Sequence, residues 1–211
     1  MKTIISTLTI LIFLTNVNMA QETISLPKPK TEGGKPLMEA LKNRQSARTF
    51  QNKELALQDI SNILWAAYGI NRENPNKRTV PSARNKQEFD IYLSLSKGLY
   101  LWNSIENTLA LVKKGDFRNE IGMQDYVGTA PLILIYVADF DKMDGMDDDR
   151  RNFYSANDCG YICQNVYLYA ASENLSTVVI GSVKKEKVFE LLNLKQSQHV
   201  ILAQPIGYPE N

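Results

Sequence analysis

Residues 131–140 read PLILIYVADF. From Leu132 to Ala138 no charged side chain interrupts the run, and it is rich in β-formers. A strand with one wet face alternates apolar and polar residues, whereas an unbroken run of this length suits a central strand covered on both faces. Working upstream, EFDIYLSLS (88–96) alternates, KG offers a turn and LYLWNS (99–104) follows, which together predict a β-hairpin. Downstream, HVILAQPIG (199–207) supplies a closing strand and STVVIGS (176–182) a short strand or turn.

Helical patterns lie between these strands. PLMEALKNR (36–44) begins with Pro36 at a plausible first helical position, and Leu37, Met38 and Leu41 share a face. In LQDISNILWAAYG (57–69), Ile60, Ile63, Leu64, Ala67 and Tyr68 recur at helical spacing, with Gly69 as the stop. The longest pattern carries Cys159, Ile162, Cys163, Val166, Tyr169 and Ala170, and Ser155 with Asp158 resembles a capping box at its start. DKMDGMDDDRR (141–151) then reads as an acidic surface loop whose spacing does not fit an EF-hand. KKEKVFELLNL (184–194) predicts a last helix with Val188, Leu191 and Leu192 inward. NRENPNKRTVPSARNKQ (71–87) is a long polar loop. Helices and strands interleave without a regular βαβ repeat, so the predicted class is α+β.

The whole chain has 211 residues, 44% hydrophobic and 22% charged, with a formal net charge of +1, which suits one domain with a substantial core. That balance gives no electrostatic reason to expect nucleic acid or acidic lipid as a partner. The N-terminus differs from the rest. Lys2 precedes a charge-free apolar run shorter than the roughly 18 residues a membrane span needs, and Ala20 stands at its end. The expectation is a signal peptide over 1–20, an uncleaved anchor being the alternative, with export to a bacterial periplasm and no stable membrane span after cleavage. Residues 21–35, with two prolines and Gly33-Gly34, predict an extended, mobile lead-in to a domain over 36–211. Cys159 and Cys163 stand four apart on one helix, a poor disulfide geometry, and read as buried small hydrophobes. With His199 as the single histidine, no zinc set can be assembled. A hydrolase built on His199 is disfavoured by its place at the head of a strand.

Two stretches carry possible chemistry. KNRQSARTF (42–50) places Lys42, Arg44 and Arg48 around Ser46. It fits a helix C-terminus favoured by cations through the macrodipole, or a turn where guanidinium forks, a hydroxyl and backbone N–H groups meet an anion. The residues alone favour the first. Val179, Ile180, Gly181 and Ser182 offer small residues and backbone donors beside a helix start, which suits close approach of a planar ligand or a simple turn.

Taken together, these blocks resemble the nitroreductase-like flavoprotein family. Arg44, Ser46, Arg48 and Phe50 match an R-x-S-x-R-x-F signature, PSARN (81–85) resembles its P-S-x-x-N loop, and 158–182 and QPIGYP (204–209) resemble its later blocks. The closest branch is the one related to azoline-oxidising dehydrogenases, and the resemblance spans about 36–209. It implies a central, mostly antiparallel sheet wrapped by helices and a homodimer with FMN at its interface. It also implies two-step hydride transfer on a small organic substrate with no catalytic side chain and no metal. By that resemblance Arg44 holds the FMN phosphate, Ser46 assists at the phosphate or ribityl chain, and Arg48 faces the pyrimidine edge, where charge builds up on reduction. Ser82, Ala83 and Asn85 reach the flavin from the partner subunit. Gly181 and Ser182 present N–H groups near flavin N5, with Val179 and Ile180 leading into them, and Asp158 lies near the flavin. By the same resemblance, many relatives carry basic residues beyond the last strand that also grip the phosphate, whereas 208–211 hold none. Arg84 and Lys86 make the PSARN loop unusually basic, and an exported member needs a donor other than cytoplasmic nicotinamide. A non-catalytic ligand-binding protein of the same fold is the alternative.

Overall fold

The computed structural model describes residues 22–72 and 76–210. The leader assigned to residues 1–20 lies outside the described residues. Among those described, no helix is long and apolar enough to cross a membrane. Seven strands form one sheet. They are β1 (Thr23–Ser25), β4 (Phe89–Leu95), β5 (Gly98–Asn103), β6 (Thr108–Lys114), β7 (Leu132–Asp139), β8 (Ser176–Thr177) and β9 (Gln198–Gly207). β2 (Ile70–Arg72) and β3 (Lys77–Arg78) make a separate two-stranded ribbon at the start of the 71–87 loop. The sheet order is β1-β6-β5-β4-β7-β9-β8 and every pairing is antiparallel. The expected hairpin is β4–β5, and the α+β class holds.

β7 sits inside the sheet between β4 and β9, and Leu132 through Ala138 are fully buried. Its two faces meet different layers. Leu132, Leu134, Tyr136 and Ala138 pack with Ile60, Ile63 and Leu64 of α2 (Leu57–Tyr68) and with Ile162 and Val166 of α3 (Asp148–Glu173). Ile133, Ile135 and Val137 pack with Val188, Leu191 and Leu192 of α4 (Lys185–Leu192). The period of two therefore shares one apolar run between two cores. Truncating Ile135 to alanine at such a site costs about 2–5 kcal/mol.

Three local expectations change. α3 begins at Asp148, not near Ser155. The Asp147 side chain accepts from the Arg150 N–H at 2.9 Å, and Asp148 and Asp149 occupy the first turn, where the helix dipole favours acids. Ser155 and Asp158 are thus buried mid-helix residues, not a capping box. The lead-in is extended but tied down: β1 pairs with β6, the Lys30 N–H donates to Asn62, and the Lys35 N–H donates to Ser172. β6, to which the sequence pattern assigned nothing, completes that edge. Finally, α1 (Leu37–Asn43) buries only Ala40, leaving Leu37, Met38 and Leu41 64%, 76% and 44% exposed.

Candidate functional site

α1 ends at Asn43, and Arg44 leaves the helical range at φ −59°, ψ 120°. The chain then runs beside β8, with the Ala47 N–H donating to the Thr177 carbonyl at 2.9 Å. This extension lays Arg44 and Ser46 against Tyr167 of α3. The Arg44 guanidinium lies 5.3 Å from the Tyr167 ring centroid, and Ser46 Oγ shares a 2.9 Å hydrogen bond with the Tyr167 hydroxyl. That same hydroxyl accepts from the Val179 N–H at 2.9 Å. One phenol thereby laces the 44–48 arm to the 179–182 segment.

The electrostatics here are one-sided. Among the described residues neither Arg44 nor Arg48 has a carboxylate partner. A groove of about 610 Å³ beside the arm is lined by Lys35, Lys42 and Arg44 with Asn174 and Ser176, and no acid lines it. Arg48 is exposed and lies 6.0 Å from the Tyr126 ring centroid. Lys35 pairs with Glu39 at 4.0 Å, whereas Lys42 and Arg44 have no carboxylate partner among the described residues, and a groove with that surplus of cations fits a phosphate-sized anion.

Within 179–182 the backbone donors divide. Those of Val179 and Ile180 are taken, by Tyr167 and by the Ala203 carbonyl at 2.8 Å, and the Ile180 side chain is buried. The N–H groups of Gly181 and Ser182 donate to no acceptor among the described residues, and both residues are exposed. A Cβ added at Gly181 would meet only Leu202, at 3.8 Å. Two adjacent free donors with open space above them suit a planar ligand resting edge-on.

The PSARN turn lies elsewhere. The Ala83 N–H donates to Asp158 Oδ2 at 2.8 Å, and the Gln87 N–H donates to Ser82 Oγ at 3.0 Å. Arg84, Asn85 and Gln87 adopt positive φ of 52°, 55° and 48°, a costly backbone for side chains other than glycine and asparagine. The Arg84 and Asn85 side chains are exposed, whereas the Lys86 ammonium pairs with Asp144. Beneath the turn, Glu88 is fully buried, and burial beside the Asp158 carboxyl pushes its acid up to about 7. Burial also raises Asp158, against the pull of the Ala83 N–H and Glu88.

α3 holds both halves, but not together. Asp158 and Tyr167 are nine positions apart, which places them about 13 Å apart along the axis and on opposite flanks of the helix. The chain therefore builds a cationic cluster around Tyr167 and a separate turn around Asp158. Tyr167 and Glu88 were missed in the sequence. Tyr167 lies just outside the buried stripe that the helical spacing identifies, and an acid opening an alternating strand carries no signal of burial. His199 is exposed and stacks on Phe140 with centroids 4.2 Å apart, and Cys159 and Cys163 are free and buried.

A family model described as the nitroreductase family matches residues 41–208. A candidate nitroreductase of Methanocaldococcus jannaschii is 29% identical over 196 residues, covering 88% of this chain and 97% of that one. The crystal structure of a candidate nitroreductase from Ralstonia eutropha superposes with a TM-score of 0.86 at 37% identity, covering 92% of this chain and 93% of the other. A chain of the E. coli microcin synthetase complex shares the fold, with a TM-score of 0.68 at 17% identity over 97% of this chain and 85% of that one.

Proposed function

Because the chain belongs to the nitroreductase family and is therefore an oxidoreductase of nitroreductase type, we propose that it binds FMN and acts on a small organic substrate. The observation that carries this reading is the junction at Tyr167. There an acid-free cationic groove at Arg44 is tied to a segment ending in two free, open N–H donors at Gly181 and Ser182. FMN presents the matching chemistry, a dianionic phosphate at one end and a flat acceptor ring at the other. When bound, it supplies hydride transfer in two half-reactions, one with a donor and one with an acceptor.

The protein's part is binding and electrostatics. Arg44, held by its stack on Tyr167, offers a fixed guanidinium fork to the phosphate, and Lys42 and Lys35 add charge along the same groove. The Gly181 and Ser182 N–H groups orient the ring edge. Arg48, unpaired and exposed, stabilises negative charge that accumulates on the ring side of the site. Such chemistry needs no protein nucleophile.

We further propose that the site is completed in a homodimer. Ser82, Ala83 and Asn85 sit on the flank of α3 opposite Tyr167 and reach a shared ligand only from a second copy. The exposed apolar side chains Leu37, Met38 and Leu41 of α1 and Phe153 and Tyr161 of α3 supply a surface for that contact. The export reading of residues 1–20 is tested by mass spectrometry of the secreted chain, which is expected to begin at Gln21.

Adding FMN to flavin-free protein and following flavin fluorescence tests the central reading. Saturable binding at one FMN per chain is expected. In Arg44→Ala, loss of a hydrogen-bonded charge contact of about 1.5–3 kcal/mol weakens binding about ten- to a hundredfold. Protein that leaves FMN fluorescence unchanged would contradict the proposal. Bound flavin that no reductant turns over would favour the ligand-binding alternative.

A further inference from the structure

The strained turn at 82–87 rests on a carboxyl pair that nothing else in the site accounts for. Glu88 is fully buried, and among the described residues neither of its carboxyl oxygens meets a donor from another residue. What faces it is the carboxyl of Asp158, close enough to hydrogen-bond. Two carboxylates are both acceptors, so that contact forms only if a proton lies between them. The two acids are not equivalent. Asp158 already accepts the Ala83 N–H at 2.8 Å, which stabilises its charge, whereas Glu88 has no such partner from another residue.

We propose that Glu88 is kept as the neutral acid and donates its proton to ionised Asp158, so that one buried proton fixes the Asp158–Ala83 contact and holds the 82–85 turn in shape. Glu88 is thus a positioning residue. It acts on the turn through Asp158 and touches no ligand.

The surroundings favour the neutral acid. Asp158 and Cys159 approach Glu88 from α3, and Tyr68 approaches from α2 with a buried hydroxyl that also has no partner. Lys142, on the turn after β7, is the cation nearest in effect, but its ammonium is committed to Asp90 at 2.7 Å. Arg78, from β3, lies 4.4 Å from the Tyr68 ring centroid and donates to the Tyr68 carbonyl, Ser104 and Gln87. Among the described residues no uncommitted cation is therefore at hand to neutralise a second buried charge. Burial and Asp158 accordingly push Glu88 up to about 7.

The consequence is a turn that loosens as pH rises through neutrality. Ionising Glu88 sets two like charges together in a buried site, and the relief available is to admit water and release Ala83. Three of the turn's residues hold positive φ without glycine, so a released turn has little reason to keep its conformation. The effect on flavin rests on the proposed function, but the proton itself does not.

Infrared spectroscopy of flavin-free protein tests the proton directly. At about pH 5.5 the wild type is expected to show the C=O stretch of a buried protonated carboxyl, lost by about pH 8.5 and missing in Glu88→Gln. Absence of that band at the lower pH, or its persistence in Glu88→Gln, would overturn the proposal. Amide exchange at Ala83 tests the coupling. Its protection is expected to fall across that range in the wild type beyond the intrinsic pH effect, and to hold in Glu88→Gln, which keeps a neutral donor. Equal loss in both proteins would also overturn it. For bound flavin, the ratio of FMN dissociation constants, wild type over Glu88→Gln, is expected to rise about tenfold from the lower pH to the higher. Taking the ratio cancels ionisation of the FMN phosphate itself. An infrared band and exchange pattern as expected without any FMN binding would leave the turn device standing and remove the flavin reading.

Discussion

The two halves that α3 carries are built from opposite chemistries. Around Tyr167 a single neutral phenol holds the 44–48 arm and the 179–182 segment, and the charge at that end belongs to Arg44, Lys42 and Lys35. Around Asp158 the turn is held by a buried acid pair, and the exposed side chains Arg84 and Asn85 are carried above it. The second half alone holds the proposed buried proton, which titrates near neutrality. A helix that positions two half-sites on opposite flanks can thus keep one constant while the other responds to its surroundings.

The largest expected effect comes from separating the halves altogether. Met38→Asp with Leu41→Asp places two charges on the exposed apolar face of α1 and should yield monomers by sedimentation. Those monomers keep the Arg44 half but lose the partner's turn, so FMN binding should fall below detection while the fold persists. Monomers that bind FMN as the wild type does would show that one chain suffices.

Glu88 links the second half to stability with a definite sign. Its acid stands at about 7 in the folded chain against 4.5 for an ordinary glutamate, so the folded state holds the extra proton between those values. Stability is therefore greatest at the acid end of that window and declines as pH rises through it. Thermal melts of Glu88→Gln should lack this decline.

A smaller change is expected at Tyr167. Tyr167→Phe removes the hydrogen bonds to Ser46 and Val179 but keeps the ring under Arg44, a loss of about 1 kcal/mol, or about fivefold in FMN affinity. The loss should be the same at either end of the pH range, because the Glu88–Asp158 pair lies on the opposite flank of α3. A pH-dependent loss would break the contrast between the halves.

Arg48→Ala should leave affinity almost unchanged and make the flavin potential more negative, by about 30 mV for each ~1.4 kcal/mol of lost stabilisation of the reduced form. An affinity loss as large as that of Arg44→Ala, at unchanged potential, would show both arginines to be phosphate ligands.

Much of the fold was legible because its signals were local. The run Leu132–Ala138 announced a doubly covered strand, and the spacing of Cys159, Ile162, Cys163 and Val166 marked the buried stripe of α3. The start of that helix was misread because Asp147–Asp149 look like loop composition, although acids at that place favour a helix N-terminus. Met38 and Leu41 matched the pattern of a core-facing helix, yet their face is open to solvent. Periodicity says which residues share a face, but not what covers it. The arm at 44–48 was readable as a possible anion site only in company with the later blocks, since its geometry depends on β8 and α3. Glu88 was beyond reach, because its protonation follows from an acid 70 positions away in the chain.

In the proposed homodimer one flavin site takes Arg44 from one chain and the 82–85 turn from its partner. Arg44→Ala and a Ser82→Ala/Asn85→Ala double variant each damage both sites of a homodimer. Co-expressed with two different affinity tags and isolated as the mixed dimer, they leave one site intact and concentrate both defects in the other. The mixed dimer should bind one FMN per two chains with wild-type affinity. A mixed dimer that binds no better than the two variant homodimers would contradict the claim.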